Sequence, residues 1–289
     1  MSSCPALQYH TLRSAGRQVC IELWPRPGAA CLLFYPGTMF CPVQYRPFLH
    51  SLWKSGLAVA ALHLTGHGRN PHHCLFSFAD LLQDGLDAEE WLLQKGLGPV
   101  LLCGHSQGGI LALAHASRSH RARACFAFSA IFPQHRHAIE LTRFAALAGQ
   151  RERLLAGTAW LARWLPWLPL PVFSYLSVKK ILAGRLRLPL DRRQTRTSYP
   201  LRYLHSLFSA DIATTLHCPF HLFNARDDAL FTQALIEDTL AAVRAPEKHV
   251  VWLPHGGHLA ILSPAVASPA AARVAALASG HGLPLFLQP

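Results

Sequence analysis

Ser106 has the most distinctive chemical setting in this sequence. It lies at the centre of Gly104-His105-Ser106-Gln107-Gly108, after the apolar run 99–103 and before the apolar run 109–114. This order predicts a strand, a tight turn and a helix, and the glycines suit backbones that approach too closely for a Cβ atom. A serine at the tip of such a turn exposes its hydroxyl at a helix N-terminus, where free N–H groups stabilise developing negative charge. The pattern predicts a nucleophile; a serine that only caps the helix is the alternative.

Two later segments supply the partners that such a serine needs. A serine hydroxyl is a weak nucleophile, so a base must accept its proton and an acid group must orient that base. Asp227 and Asp228 follow the apolar run 218–224, while His255 and His258 follow the next predicted strand, near 249–253. The order Ser, Asp, His is one that catalytic triads use. The residues alone leave open which aspartate and which histidine take part.

The elements that must position these groups are buried strands alternating with helices. Residues 8–24 alternate around Val19, Ile21 and Leu23, which predicts an antiparallel pair at a sheet edge. Continuously apolar runs predict strands covered on both faces at 29–35, 57–64, 99–103, 124–130 and 218–224. Helices are predicted over about 43–54, 77–95 and 232–243, and in a closing helix with Ser268 at its cap and Pro269 in its first turn. This rhythm predicts an α/β fold with a mostly parallel central sheet and helices on both faces.

Two Gly-rich loops follow predicted strands at the same edge of the sheet as Ser106. Pro36-Gly37-Thr38 ends the first buried strand, and 65–70 follows the second. Open α/β sheets bind ligands at the carboxyl ends of their strands, so Thr38 is a candidate site residue. The acidic residues of the predicted helix 77–95 lie mostly between its apolar positions; we interpret Asp80, Asp84, Asp87, Glu89 and Glu90 as a solvated face rather than a carboxylate site.

Composition excludes several other classes of protein. Charged residues make up 15% of the 289 residues and hydrophobic ones 51%, which argues against disorder. The first ten residues show no signal peptide, and the eight cysteines contain no C-x-x-C pair, which favours buried free thiols and a reducing cytosol. A cluster of metal-ligand residue types lacks the two-pair spacing of a zinc site, so we expect no metal there; it comprises His63, His67, His72, His73 and Cys74.

The stretch 132–217, called the insert below, interrupts the strand and helix rhythm. Its Lys and Arg number 13 and its Asp and Glu 4, which leaves +9 of the chain's +12. Residues 155–171 combine tryptophans and leucines with three prolines, too broken to span a bilayer as one helix. We expect a helical cap that lines an acyl pocket or contacts an anionic membrane; tryptophans packed on the core are the alternative. No nucleic-acid-binding pattern accompanies the basic residues.

These motifs together resemble cap-bearing esterases and monoacylglycerol-lipase-like members of the α/β-hydrolases. The resemblance implies a hydrolase core of residues 1–131 and 218–289 with a cap insertion at 132–217. In such families the acid stands three residues after a small turn residue that ends its strand, which selects Asp227, three after Asn224. The histidine follows a glycine, which selects His258.

The resemblance also extends to the loop around Thr38. Pro36-Gly37-Thr38 resembles the family's His-Gly-x oxyanion loop, with Pro36 in place of the histidine. That likeness implies an oxyanion hole made by the backbone N–H groups of Thr38 and Gln107.

The expected function is therefore a serine hydrolase that needs no metal or organic cofactor. Its expected substrate is a carboxylic ester with an apolar acyl chain, such as a monoacylglycerol or a lysophospholipid. An acyltransferase or thioesterase with the same triad remains open, as does a non-catalytic protein that binds a ligand or a membrane. We expect a cytoplasmic protein, peripheral to the membrane if the basic cap contacts lipid, and no nucleic-acid partner.

Overall fold

The computed structural model describes residues 7–71, 75–181 and 195–283, and an eight-stranded sheet forms its centre. The strands are β1 (Gln8–Ser14), β2 (Arg17–Trp24), β3 (Cys31–Tyr35), β4 (Ala58–Leu62), β5 (Val100–His105), β6 (Cys125–Phe128), β7 (Pro169–Pro171), β8 (Ser198–Pro200), β9 (Phe220–Ala225) and β10 (Lys248–Leu253). The sheet order is β1-β2-β4-β3-β5-β6-β9-β10, while β7 and β8 pair separately. β2 runs antiparallel to β1 and β4, and the remaining neighbours are parallel. The predicted edge pair and the mostly parallel sheet are confirmed.

Helices cover both faces of the sheet. They are α1 (Arg46–Lys54), α2 (Phe78–Gln94), α3 (Gln107–Ala116), α4 (Arg151–Trp164), α5 (Val172–Tyr175), α6 (Val178–Ile181), α7 (Leu201–Phe208), α8 (Gln233–Ala242) and α9 (Pro264–Gly280). Alternate residues of β3 enter two separate hydrophobic clusters: Leu33 packs with α2 and α3, and Phe34 packs with α1 and α9. The two-residue period of a strand therefore divides the core into two layers.

The start of α2 follows from local chemistry. The Ser77 side chain accepts the Asp80 N–H, and the Asp80 carboxylate accepts the Ser77 N–H, so both ends of a capping box are present.

The closing helix departs from the prediction, because α9 begins at Pro264, with Ser263 at its cap, and Pro269 lies inside it. Pro269 and Ala265 are both exposed, so the carbonyl that loses its helical partner can bond to water.

The interpretation of the acidic residues on α2 as a solvated face is wrong for two of them. Asp84 is buried and accepts hydrogen bonds from the Thr65 hydroxyl at 2.6 Å and from Arg17 at 3.0 Å. Glu89 is buried against His115 and the Ser119 hydroxyl. These carboxylates are buried because polar partners from other elements satisfy them, which helical periodicity cannot reveal.

The insert contributes α4 to α7 and the β7–β8 pair, all between β6 and β9 in the chain. α4 packs against α7, and α7 packs against α2 of the sheet's helical layer. The division into a core and a cap domain at 132–217 stays a prediction. The six cysteines of the described residues are buried and free, which agrees with the prediction of buried free thiols.

Candidate active site

Ser106 lies in the turn between β5 and α3, in a backbone conformation that few residues adopt. Its φ is 56° and its ψ is −120°, outside the favourable regions for a residue with a side chain. The surrounding packing imposes this turn. A Cβ atom on Gly104 would collide with the carbonyl oxygen of Gly108, and one on Gly108 would collide with the carbonyl oxygen of Tyr35. The glycines thus let the turn pack against both β3 and itself.

The Ser106 side chain meets His258, as the sequence predicted. The two atoms Oγ of Ser106 and Nε2 of His258 are 3.0 Å apart, although the residues are 152 positions apart in the chain. Both side chains are buried. The imidazole of His258 also stacks on the ring of Phe231, with centroids 5.0 Å apart and planes 5° from parallel. His255, the alternative histidine, is exposed.

The carboxylate next to His258 belongs to Asp228, so the selection of Asp227 is corrected. Oδ2 of Asp228 lies 3.1 Å from Nδ1 of His258. Asp227 instead accepts the N–H groups of Gly256 and Gly257 at 3.1 and 2.9 Å. The reason is where the strand ends: β9 continues through Ala225, so the acid three residues beyond it is Asp228.

Asp228 is held in its ionised form. Its Oδ1 accepts the N–H groups of Leu230 and Phe231 at 2.8 and 3.0 Å. Burial by itself would raise the pKa of Asp228, but the charge of His258 and the three hydrogen bonds together keep that pKa below its usual value. A carboxylate accepts at His258 Nδ1, so this nitrogen carries the proton and leaves the Nε2 lone pair facing the hydroxyl of Ser106.

Thr38 and Gln107 lie beside Ser106, on the loop after β3 and at the first position of α3. The Thr38 hydroxyl donates to Oε1 of Gln107 at 3.1 Å. The backbone N–H groups of Thr38 and Gln107 have no acceptor among the described residues. Two free N–H groups beside a nucleophile are the donors that an oxyanion hole requires. That these two N–H groups bind an oxyanion stays a prediction.

Apolar clefts lie on both sides of Ser106. One cleft, of about 560 Å³ including its part open to solvent, is lined by Ile110, Ile131, Leu141, Leu207, Phe208 and Phe231. The other, of about 680 Å³ on the same measure, is lined by Met39, Phe40, Val172, Phe173, Ile181 and Leu259. Thr38, Ser106, Leu176 and Leu230 border both clefts. Apolar groups can therefore be accommodated on both sides of the Ser106 hydroxyl.

A comparison with protein-family models assigns the chain. The model described as "Alpha/beta hydrolase family" matches residues 28–276, which include every candidate site residue. This chain belongs to the alpha/beta hydrolase family. No curated protein matches this alpha/beta hydrolase in sequence.

Solved structures share the fold of this alpha/beta hydrolase. A monoglyceride lipase from Saccharomyces cerevisiae aligns with a TM-score of 0.73 at 15% identity, covering 97% of this chain and 98% of that one. A monoacylglycerol lipase from Paleococcus ferrophilus aligns with a TM-score of 0.72 at 15% identity, covering 91% of this chain and 99% of that one. A thermophilic esterase from Thermogutta terrifontis aligns with a TM-score of 0.64 at 16% identity, covering 95% of this chain and 99% of that one. At such identities the likeness establishes the fold.

Three residues support the site in ways that the sequence analysis did not predict. Tyr45, His105 and Tyr199 hold the backbone around Thr38 and His258 through hydrogen bonds. His105 is part of the motif around Ser106, but its own contacts involve residues far away in the chain. Only the buried polar groups of the folded hydrolase reveal these roles.

The histidines set aside as metal ligands have other partners in the hydrolase. Nε2 of His63 lies 3.1 Å from Glu22, and His67 contacts Tyr199. His72, His73 and Cys74 lie outside the described residues. A metal-compatible group within the described part of the chain consists of His221, Glu247 and His281; none of them borders the clefts at Ser106. None of the helices in the described residues combines the length and apolar character needed to cross a membrane.

Proposed function

We propose that this alpha/beta hydrolase is a serine hydrolase that cleaves carboxylic esters through an acyl-enzyme on Ser106. The observation that carries the proposal is the continuous row of side chains Ser106, His258 and Asp228, with gaps of 3.0 and 3.1 Å. Such a row converts an unreactive hydroxyl into a nucleophile. The adjoining clefts give an ester carbonyl access to Ser106. Because the three side chains are buried, little water competes with the ester there.

The proposed steps use only side chains and N–H groups of this chain. Oγ of Ser106 attacks the carbonyl carbon while its proton moves to Nε2 of His258, and Asp228 stabilises the imidazolium. The N–H groups of Thr38 and Gln107 donate to the oxyanion. His258 then protonates the departing alcohol, and a water molecule, deprotonated by His258, releases the acyl group. No metal or organic cofactor takes part in these steps.

The substrate class is an ester with an apolar acyl chain, of the monoacylglycerol or lysophospholipid kind. The apolar lining of both clefts supports this proposal, because the burial of each methylene group of an acyl chain contributes about 0.8 kcal/mol to the binding free energy. A third apolar pocket lies under α4, lined by Leu154, Leu155 and Leu204, and it shares Tyr175 and Phe208 with the first cleft. A long acyl chain would have room along this row of pockets.

The exposed face of α4 supports a peripheral contact with an anionic membrane. The Trp patch is defined as Trp160, Leu161, Trp164, Leu165, Trp167 and Leu168. Its three tryptophans are 65%, 63% and 57% exposed, and Arg153 and Arg163 of α4 are exposed as well. Tryptophan and arginine together suit the interface between lipid headgroups and acyl chains. The third pocket and the Trp patch share helix α4, which contributes Leu154 and Leu155 to the pocket.

Labelling with a fluorophosphonate probe tests the activity directly. The probe phosphonylates an activated serine, so we expect the wild-type protein to be labelled and Ser106→Ala to remain unlabelled. Asp227→Asn serves as the control for a charge change near the site. A folded wild-type protein that is not labelled would leave a non-catalytic ligand-binding role as the better interpretation.

A panel of p-nitrophenyl esters of increasing acyl length tests the substrate class. We expect kcat/KM to rise from acetate to longer chains, and a maximum at acetate would contradict the proposed acyl pocket. A matched acyl-thioester, with and without an alcohol acceptor, separates an esterase from a thioesterase or an acyltransferase. Preferential cleavage of the thioester, or an acylated alcohol as the main product, would favour those alternatives.

A further inference from the structure

The loop after β3 keeps three consecutive peptide groups in fixed orientations. The N–H of Gly37 donates to the Tyr45 hydroxyl at 3.0 Å, and the N–H of Met39 donates to the Tyr199 hydroxyl at 2.8 Å. Between them, the carbonyl of Gly37 accepts the N–H of Phe40 at 3.1 Å. In a trans peptide the carbonyl and the next N–H point in opposite directions. The Phe40 bond therefore also orients the N–H of Thr38, which is left without an acceptor among the described residues.

Tyr45 connects this loop to the backbone of His258. Nε2 of His105 lies 2.8 Å from the carbonyl oxygen of His258, so this nitrogen must carry the proton. Nδ1 of His105 is then an acceptor, and the Tyr45 hydroxyl donates to it at 2.8 Å. Burial, followed by the nearby charge of His258, lowers the pKa of His105 to about 3, which keeps the ring neutral. The hydroxyl of Tyr45 is thereby left to accept from Gly37.

Tyr199 makes the equivalent connection from the insert. Nδ1 of His67 donates to the carbonyl of Thr65 at 2.9 Å, so its Nε2 accepts the Tyr199 hydroxyl proton at 2.7 Å. The Tyr199 oxygen is left to accept from Met39. Arg196 adds a second bond from the insert, because its backbone N–H donates to the carbonyl of Met39 at 3.1 Å.

The backbone of Met39 is the strained point of the loop. Its φ of 74° lies in the left-handed region, which a residue with a side chain adopts only when its surroundings hold it there. The Tyr199 hydroxyl and the Arg196 N–H bind both polar groups of Met39. Without the hydroxyl of Tyr199, the buried N–H of Met39 would lack a partner, and rotation of its peptide group would disturb Thr38.

We propose that Tyr45 and Tyr199 are positioning residues that engage the N–H groups on both sides of Thr38 and so present the Thr38 N–H to the oxyanion. Because Tyr199 belongs to β8, the oxyanion hole is complete only while this part of the insert is docked on the loop. The proposal rests on the proposed serine hydrolase function. It gives the insert a role in transition-state stabilisation besides lining the clefts.

A pair of ketone inhibitors separates this role from a structural one. An alkyl trifluoromethyl ketone accepts Oγ of Ser106 to form a hemiketal oxyanion, with the hydroxyl proton transferred to His258, whereas the matched methyl ketone stays unreacted and binds through its chain. The ratio of their inhibition constants therefore reports on the oxyanion hole. For Tyr199→Phe we expect the trifluoromethyl ketone to bind about tenfold more weakly, while the affinity for the methyl ketone stays unchanged. This loss is smaller than the 10²–10³-fold loss of kcat that follows removal of an oxyanion donor, because the Thr38 N–H is still present. We expect kcat for ester hydrolysis to fall together with the affinity for the trifluoromethyl ketone, while KM stays nearly constant.

Tyr203→Phe is the matched control. Tyr203 is buried in the same aromatic cluster, with its ring centroid 5.0 Å from that of Tyr199, but its hydroxyl has no partner within the described residues. Removal of this hydroxyl should leave the inhibitor ratio as in the wild type. An equal change of the ratio in both variants would assign the effect to the aromatic packing and overturn the proposal.

The remaining outcomes are also decisive. If Tyr199→Phe does not fold, by circular dichroism, Tyr45→Phe carries the test with the same expected ratio. A folded Tyr199→Phe whose ratio equals that of the wild type overturns the inference and leaves the hydrolase proposal intact. A wild-type protein that binds both ketones equally, and is not labelled by the fluorophosphonate, overturns both.

Discussion

Asp228 and His258 form a buried pair in which Oδ2 of the carboxylate lies 3.1 Å from Nδ1 of the imidazole. The adjacent Asp227 is turned to the backbone of Gly256 and Gly257, two and one residues before His258. One aspartate therefore contacts the imidazole, while its neighbour holds the loop that carries it. Substitution of each aspartate in turn can test these two different roles.

Asp228→Asn and Asp227→Asn should separate orientation of the histidine from support of its loop. An amide at position 228 can donate to Nδ1 and so favour the wrong tautomer, which lowers kcat by about 10⁴-fold in triads of this kind. An amide at position 227 has one acceptor oxygen, so it keeps one of the two bonds to Gly256 and Gly257, while its NH2 group faces the other N–H. We therefore expect Asp227→Asn to keep kcat within about tenfold of wild type, since the loop loses one hydrogen bond while His258 keeps the carboxylate of Asp228.

The measurement is steady-state hydrolysis of a p-nitrophenyl ester, with fluorophosphonate labelling rates as a second readout. Thermal unfolding of both variants controls for loss of the folded state. The assignment of Asp228 would be abandoned if Asp227→Asn were the inactive variant and Asp228→Asn the active one.

Gly108→Ala should destabilise the protein, because the added methyl group would meet the backbone carbonyl of Tyr35. Backbone atoms cannot move aside as a flexible side chain can, so we expect a loss of about 3 kcal/mol in the free energy of unfolding. Gly157→Ala is the matched control: it lies on the exposed face of α4 with no atom within 4 Å of a new Cβ. That variant should gain about 0.5–1 kcal/mol through helix propensity. Urea unfolding measures both; equal effects would contradict the packing argument.

The sequence predicted the features that local chemistry determines. Glycines around Ser106 are required by contacts within the turn and with β3, so the turn was recognisable from the residues alone. The identity of the acid was not, because it depends on whether β9 ends at Asn224 or Ala225, and a one-residue difference selects a different carboxylate. Strand ends are set by pairing with neighbouring strands, which periodicity does not reveal.

Support of the oxyanion loop could not be predicted for a different physical reason. Met39 and Tyr199 are 160 residues apart, and their bond joins a backbone N–H to a hydroxyl, two groups with no sequence signature. The burial of Asp84 and Glu89 has the same origin, since their partners Arg17 and His115 come from other elements. Buried polar groups are specified by tertiary contacts and remain invisible to patterns of hydrophobicity.

Substitution of two tryptophans in the Trp patch should weaken binding to anionic vesicles. Trp160→Ser with Trp164→Ser removes the two most exposed aromatic rings of α4. Burial of aromatic surface in a lipid interface contributes about 25 cal/mol per Å², so we expect at least about a tenfold lower partition coefficient. Hydrolysis of a short, water-soluble ester should stay unchanged.

Arg163→Gln provides the matched electrostatic control for the Trp patch. It should reduce binding to anionic vesicles at low salt, by about 1 kcal/mol, and leave binding to neutral vesicles as it was. Co-sedimentation with vesicles of both compositions measures these effects. If the double tryptophan variant binds as the wild type does, the proposed membrane contact is wrong.

Folding stability should decrease as the pH falls below about 6.5, because two buried histidines resist protonation in the native state. Burial, with the charge of His258, lowers the pKa of His105 to about 3, and burial, with the charge of His281, lowers the pKa of His221 to about 4. In the unfolded chain both rings take up a proton near pH 6.5, so the unfolded state binds more protons and stability rises with pH between about 4 and 6.5. From pH 7 to pH 5 each histidine should remove about 2 kcal/mol from the free energy of unfolding.

Urea unfolding at pH 5, 6, 7 and 9 tests this pH dependence. His221→Phe keeps a ring that can stack on Phe126 but cannot titrate, so its loss of stability between pH 7 and pH 5 should be about 2 kcal/mol smaller than in the wild type. The interval from pH 7 to pH 9 is the internal control: the unfolded histidines lose only a small fraction of a proton there and the folded ones none, so the two proteins should change stability nearly equally. An equal pH dependence in the wild type and His221→Phe would show that His221 is protonated in the folded protein, and that its hydrogen bond to His281, with the two Nε2 atoms 2.8 Å apart, has rearranged to allow it.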